Sequence, residues 1–332
     1  MNTAAVDTRP RAALPEKSLL ARFPIALFAT VMGLSGLSMA WSKAALAGLA
    51  PMLPADALRW AATLIWFFLT AVYALKALRY PQAVAAESRH PVKLNFFAGI
   101  TIGLLLLATS WAASAPEASR WMWYAGAAGH LAATLYTMST WLYRSQFKIQ
   151  QISAAWFIPV VGNIIVPLAG VRYAPPEISW FFFSVGLVFW LVLMTFVIYR
   201  LFFHDPMPAK LNPTLFILIA PPAVGALSWL ALNGGKIDAA VHIFFSTALF
   251  ITLLLAVQTK TFLRTPFFLS AWAYSFPLAA ITITTLEMYL RSGSDYLLWL
   301  GCAMLAAATL VIAVLIVKTL QAVLSGSAFV PD

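Results

Sequence analysis

Ten apolar runs of about 20 residues follow one another along the chain, set apart by charged residues or by proline and glycine. They cover 24–42, 58–78, 92–113, 120–143, 152–171, 177–202, 211–232, 238–259, 267–290 and 295–320. A run of that length lets an α-helix cross the roughly 30 Å hydrocarbon layer of a bilayer, whereas the strands of a membrane barrel are about 10 residues long and alternate. Composition agrees: 62% of the 332 residues are hydrophobic and only 10% charged, against roughly 45–50% and 25% in a soluble domain. The expected fold class is an all-α integral membrane protein with ten transmembrane helices.

Residues 1–22 are polar and mixed in charge, without the basic start, apolar core and small-residue cleavage site of a signal peptide. They are expected to form a cytoplasmic arm, with residues 23–322 as the transmembrane domain and 323–332 as a cytoplasmic tail. An even number of crossings puts both termini on one side. The other side collects Lys43, Arg59, Arg120, Arg172, Lys236 and Arg291, so the termini's side holds the remaining 15 of the 21 basic residues and is expected to be the cytoplasm. Basic cytoplasmic loops account for most of the net charge of +10, and nucleic acid is not needed as a partner.

Proline is distributed unevenly. The even-numbered runs contain none, while the fifth holds Pro159 and Pro167, the seventh Pro221 and Pro222, and the ninth Pro277. The first and third runs carry Pro24 and Pro91 at their starts, then Gly33 and Gly36, and Gly99 and Gly103. Helix breakers in every second run predict five repeats of a helical hairpin. A proline inside a helix strands polar backbone groups that lipid cannot satisfy. Five kinked helices are therefore expected to form an inner ring around a central pore, with five straight ones outside.

Phe276 lies nine residues into the ninth run, about 14 Å along a helix and near the middle of the hydrocarbon layer. On pattern alone it reads as one core phenylalanine among 24, although a ring beside a kink at that depth could also plug a narrow conduit. The hydroxyls of the inner runs, Thr30, Ser35, Ser38, Ser275, Thr282, Thr284 and Thr285 among them, could pack helices together or line a polar pore. Glu287, the only carboxylate in the inner runs, stands four residues before Arg291, the favourable order for an ion pair along a helix. Apart from Lys93 at the very start of the third run, no lysine, arginine or aspartate accompanies it in those stretches, so a passive conduit fits better than a pump.

The sequence contains no Gly-rich phosphate loop, nucleophile elbow or HExxH run. The lone Cys302 and the scattered His90, His130, His204 and His242 have no partners at metal-ligand spacing. Neither catalytic residues, a metal site nor a cofactor is expected, and the protein is not read as an enzyme.

The stretches RFPIALFATVMGLSGLSMAW, HPVKLNFFAGI, WFIPVVGNIIVPLAG, LNPTLFILIAPPAVG and AWAYSFPLAAIT, one in each odd-numbered run, resemble the family of bacterial TehA-type tellurite-resistance proteins and plant guard-cell slow anion channels. Fungal malate permeases are its distant relatives. The resemblance extends from about Arg22 to about Lys318. It implies five hairpins around a pseudo-fivefold pore, a homotrimer in which each subunit has its own channel, and occlusion of the pore by the phenylalanine of the SFP motif, here Phe276. The expected function is a gated channel passing chloride, nitrate and other small inorganic anions across a bacterial inner membrane. A carrier for dicarboxylates such as malate, or for tellurite oxyanions, is the alternative.

Overall fold

A computed structural model describes residues 18–144 and 147–329. Most of the expected N-terminal arm, residues 1–17, and residues 330–332 of the expected tail lie outside the described residues.

Among the described residues the chain is helical, with no strand. Its long helical segments are α1 (Ile25–Leu46), α2 (Leu53–Arg79), α3 (Lys93–Trp111), α4 (Pro116–Tyr143), α5 (Ala154–Gly170), α6 (Pro176–Phe203), α7 (Ala209–Leu232), α8 (Ala239–Val257), α9 (Leu269–Ser292) and α10 (Asp295–Leu324). Eight of these, all but α4 and α5, are long and apolar enough to cross a membrane. The expectation of ten apolar spans meets two exceptions. Helix α4 has 28 residues but carries Glu117, Arg120 and His130 together with several hydroxyls. Helix α5 is short, but it contains the 3-10 turns Ala154–Trp156 and Gly162–Ile165. Because 3-10 turns rise about 2.0 Å per residue instead of 1.5 Å, α5 reaches about 29 Å.

Helices α2 and α4 begin several residues before their apolar runs. Pro54 and Pro116 occupy the first turns, where proline loses no intrahelical hydrogen bond, and Asp56 and Glu117 sit there favourably at the positive end of the helix dipole. These polar starts are invisible to hydropathy.

Burial divides the helices into two sets. The apolar windows of α1, α3, α7 and α9 are 67, 61, 61 and 72% buried, against 28, 33, 33 and 28% for α2, α6, α8 and α10. The first set packs as a closed ring together with α5: α1 touches α3, α3 touches α5, α5 touches α7, α7 touches α9, and α9 returns to α1. Each even-numbered helix lies against the odd one before it. The outer helices expose Phe67, Phe68, Leu191, Phe202, Phe250 and Leu310. A surface that apolar would aggregate in water but suits lipid.

At the start of α8, the Asp238 side chain accepts from the backbone N–H groups of Ala240 and Val241, and also from the Trp229 indole at 2.9 Å. That indole hydrogen bond, with help from the backbone donors, holds the Asp238 carboxyl below its ordinary range. A depressed folded-state pKa gives stability that is present above the unfolded carboxylate value, about 3.9, and lost as pH falls through the folded value. Asp238→Ala is therefore expected to melt at a lower temperature than wild type at neutral pH. Melting curves in detergent should show the gap closing below about pH 4.

Candidate functional site

The five odd-numbered helices enclose a cavity of about 70 Å³, and every one of them contributes to its wall. Three change backbone geometry beside it. In α7, the 3-10 stretch Ala209–Ile219 gives way to an α-helix at Ala220, with Pro221 and Pro222 in its first turn. In α9, the 3-10 stretch Leu269–Tyr274 gives way at Ser275, with Phe276 and Pro277 next. In α5, a 3-10 turn over Gly162–Ile165 separates the α turns that hold Pro159 and Pro167. Proline is tolerated at such junctions because the new α segment's first N–H groups have no partner four residues back within it.

The four glycines expected to kink α1 and α3 lie inside continuous stretches of helix. Helical structure runs unbroken through Gly33 and Gly36, in Phe28–Leu46, and through Gly99 and Gly103, in Ala98–Trp111. The interruption in α3 falls at Phe97. What Gly33 and Gly36 provide is a seat for α9. A Cβ at Gly33 would come within 2.6 Å of the Ser275 Cβ, and one at Gly36 within 3.1 Å of the Phe276 ring and 2.9 Å of the Ala279 Cβ. The SFP stretch thus lies against the backbone of α1, and a side chain at either glycine would push it away. Gly33→Val should cost at least 1–3 kcal/mol by overpacking. The checks are loss of monodisperse protein on size exclusion and a lowered melting temperature; normal yield and stability would show that the seat has slack.

Phe276 is 7% exposed and lines the cavity, as do Pro277, Pro221 and Gly99. Pro159, Pro167, Pro222 and Gly103 are not in its wall. Gly103 faces Val31 and Trp66, and the Pro159 carbonyl accepts from the Thr134 hydroxyl at 2.7 Å. The rest of the wall is apolar, with Met32, Ile102, Val161, Ile217 and Val224 contributing, and Ser270 is its one hydroxyl. No charged residue takes part. A space this small and apolar offers no group to replace an anion's hydration shell.

Most of the hydroxyls in question turn to nearby carbonyls. Thr30 donates to Leu27, Ser38 to Ala55, Ser275 to Trp272, Thr282 to Leu278, Thr284 to Ala223 and Ala280, and Thr285 to Ile281. They satisfy themselves within and between helices, which is the packing role. His130 is fully buried between helices, its Nδ1 2.9 Å from the Thr101 hydroxyl.

Glu287 lies eleven residues beyond Phe276, about 16 Å along the helix. Arg291 Nε donates to Glu287 Oε1 at 2.6 Å, as the spacing predicts. The second cation on this carboxylate is Lys43 of α1, which sequence spacing does not reveal because it lies at the other end of the chain. Arg291 Nη1 also donates to the Gly235 carbonyl at 2.8 Å. This cluster ties α1, α9 and the α7–α8 turn together and closes the ring electrostatically.

A family model for voltage-dependent anion channels matches residues 22–320. The S-type anion channel SLAH3 of Arabidopsis thaliana is 29% identical over 91% of this chain and 48% of its own length, and SLAH2 of the same plant is 28% identical over 96% and 63%. The chain thus spans about half of the first of these relatives and under two thirds of the second. The tellurite resistance protein TehA homolog of Haemophilus influenzae is 23% identical over 80% of this chain and 81% of its own length. With helices long and apolar enough for several crossings, and a match to the family model over most of its length, the chain belongs to the voltage-dependent anion channel (SLAC1) family of membrane proteins.

Proposed function

We propose that the protein is a gated channel conducting small monovalent anions, chloride and nitrate among them, passively across a bacterial inner membrane. In this reading residues 23–322 form one domain of ten crossings arranged as five hairpins, with both termini in the cytoplasm. The odd-numbered helices surround the conduit, and Phe276 closes it. Three copies assemble, each with its own conduit.

The observation that carries the reading is the ring of five odd-numbered helices around one apolar cavity with Phe276 in its wall, in a chain of this family. The cavity wall carries no Lys or Arg that would hold an oxyanion for alternating access. Anion preference then comes from weaker, distributed fields. The α segments starting at Ala220 and Ser275 turn their positive ends toward the cavity, and the basic loops at one mouth raise the local anion concentration.

Anion flux in proteoliposomes tests the reading. A channel gives flux that rises with chloride or nitrate concentration without saturating at a fixed site, and it carries current with no anion on the far side. Saturable malate or tellurite uptake that requires counter-anion exchange would replace the channel with a carrier.

A further inference from the structure

The basic end of the bundle holds several buried hydrogen-bond donors that have no partner among the described residues. Arg200, near the end of α6, is 3% exposed. Its Nη1 donates to the Asp205 carbonyl at 2.6 Å, while its Nε has no partner. Arg144, just after α4, leaves Nη1 buried and unpaired, and Ser153, just before α5 and 1% exposed, leaves its hydroxyl so. The indole N–H groups of Trp141 and Trp156 are also unpartnered. Among the described residues, no carboxylate lies within 4.0 Å of either arginine. The Asp205 side chain is exposed.

Helix register brings these groups to one level. Between α4 and α5, His130 meets Gly162, Thr134 meets Pro159, and Trp141 stacks on Trp156 with ring centroids 4.4 Å apart. Arg144, three residues past Trp141 at the end of α4, and Ser153, three residues before Trp156 at the start of α5, flank that stacked pair. Between α5 and α6, Gly170 meets Ser179 and Gly186 meets Ile164. The same antiparallel run brings the entrance of α5 alongside the turn holding Val197 and Arg200. The opposite end of the bundle is different, for Arg59 pairs with Asp56, Arg120 with Glu117, and Lys43 and Arg291 with Glu287.

Two guanidinium groups, a hydroxyl and two indoles offer donors with no acceptor among them except the hydroxyl oxygen, and a buried arginine without an anion is costly. The planar donor fork of arginine matches the oxygens of a phosphate, and basic pockets between helices at a membrane surface take lipid headgroups. We propose that Arg144, Ser153 and Arg200 hold a phosphate group at this end of α4, α5 and α6. The site lies outside the central cavity and does not depend on the protein being a channel. Its phosphate comes from an anionic phospholipid or from free inorganic phosphate.

The test uses the full chain, purified in a neutral detergent and delipidated. It is titrated with inorganic phosphate and, separately, with short-chain phosphatidylglycerol, with chloride holding the ionic strength constant. Native mass spectrometry counts bound phosphate groups. Wild type should bind one per chain saturably, and Arg144→Gln should bind about tenfold more weakly, as removal of one charge-assisted hydrogen bond implies. Saturation by phosphatidylglycerol at concentrations where inorganic phosphate does not bind identifies the lipid; equal binding of both identifies free phosphate. Arg200→Gln should weaken binding as much as Arg144→Gln does. If it does not yield folded protein, the milder pair Arg144→Gln with Ser153→Ala decides. Failure of wild type to bind either probe saturably, or wild-type affinity in that pair, would overturn the site.

Discussion

Replacing Phe276 with alanine should raise anion conductance by about ten- to hundredfold, because each 1.36 kcal/mol removed from a barrier is worth a factor of ten. The ring stands in the wall of a 70 Å³ cavity with no charged lining, packed against Gly36 of α1. An anion forced through that space sheds its hydration shell and meets no group able to replace it, a penalty of several kcal/mol. Without the ring, water can accompany the ion. Phe276→Leu should fall between wild type and alanine, since a branched aliphatic side chain still excludes water but fills less of the gap. Phe183→Leu is the control: it is 1% exposed and not in the cavity wall, so it should cost stability without changing current. The measurement is current in planar bilayers under a chloride gradient, repeated with nitrate. Equal currents in wild type and Phe276→Ala would reduce Phe276 to a packing residue and remove the plug from the proposed function.

The largest loss of stability should come from Glu87→Ala. Glu87, on the short helix Pro81–Arg89, binds the fully buried Lys76 of α2 at 2.8 Å and accepts from the Tyr73 hydroxyl at 2.6 Å. Lys76 also donates to the Phe23 carbonyl at 2.7 Å, just ahead of α1. The pair thus fastens the chain entering α1 to the end of α2 and the loop that follows. Removing the carboxylate leaves a buried ammonium group with no counter-charge, only the Phe23 carbonyl as acceptor and the Tyr73 ring 5.2 Å away, a cost of about 3–5 kcal/mol for a broken buried pair. Melting in detergent should show it as a markedly lowered transition temperature. Substituting Lys76→Met, Glu87→Leu and Tyr73→Phe together should recover much of that stability, because a buried ion pair replaced by apolar groups of similar volume is often close to neutral. If Glu87→Ala melts like wild type, water or another group already satisfies Lys76 and the latch is not structural.

Much of this protein is legible in its sequence, because the bilayer as solvent imposes strict demands. Long apolar runs must be helices, since lipid offers no partner for backbone N–H and C=O groups. Prolines confined to alternate runs mark the helices that need protein around them, and in α5, α7 and α9 they stand within a few residues of a change between 3-10 and α geometry. The pair Glu287–Arg291 is also readable, because its partners stand one helical turn apart. Helix starts are less so: Pro54 with Asp56, and Pro116 with Glu117, extend α2 and α4 into polar sequence that hydropathy discards.

Contacts across the chain were decided elsewhere. Gly33 and Gly36 look like breaks in a one-dimensional reading, yet the helical structure of α1 continues through them and their missing side chains make room for Ser275 and Phe276. Lys43 meets Glu287 only because the last odd helix returns to the first. Arg144 and Arg200 look like ordinary loop charges in the sequence, and packing is what leaves donors of both buried without a carboxylate among the described residues. Local demands, one residue against solvent or against its own helix, are written in the order of residues. Which distant backbone comes close enough to fill a glycine's space or neutralise a charge depends on ring closure, and only the tertiary structure sets that.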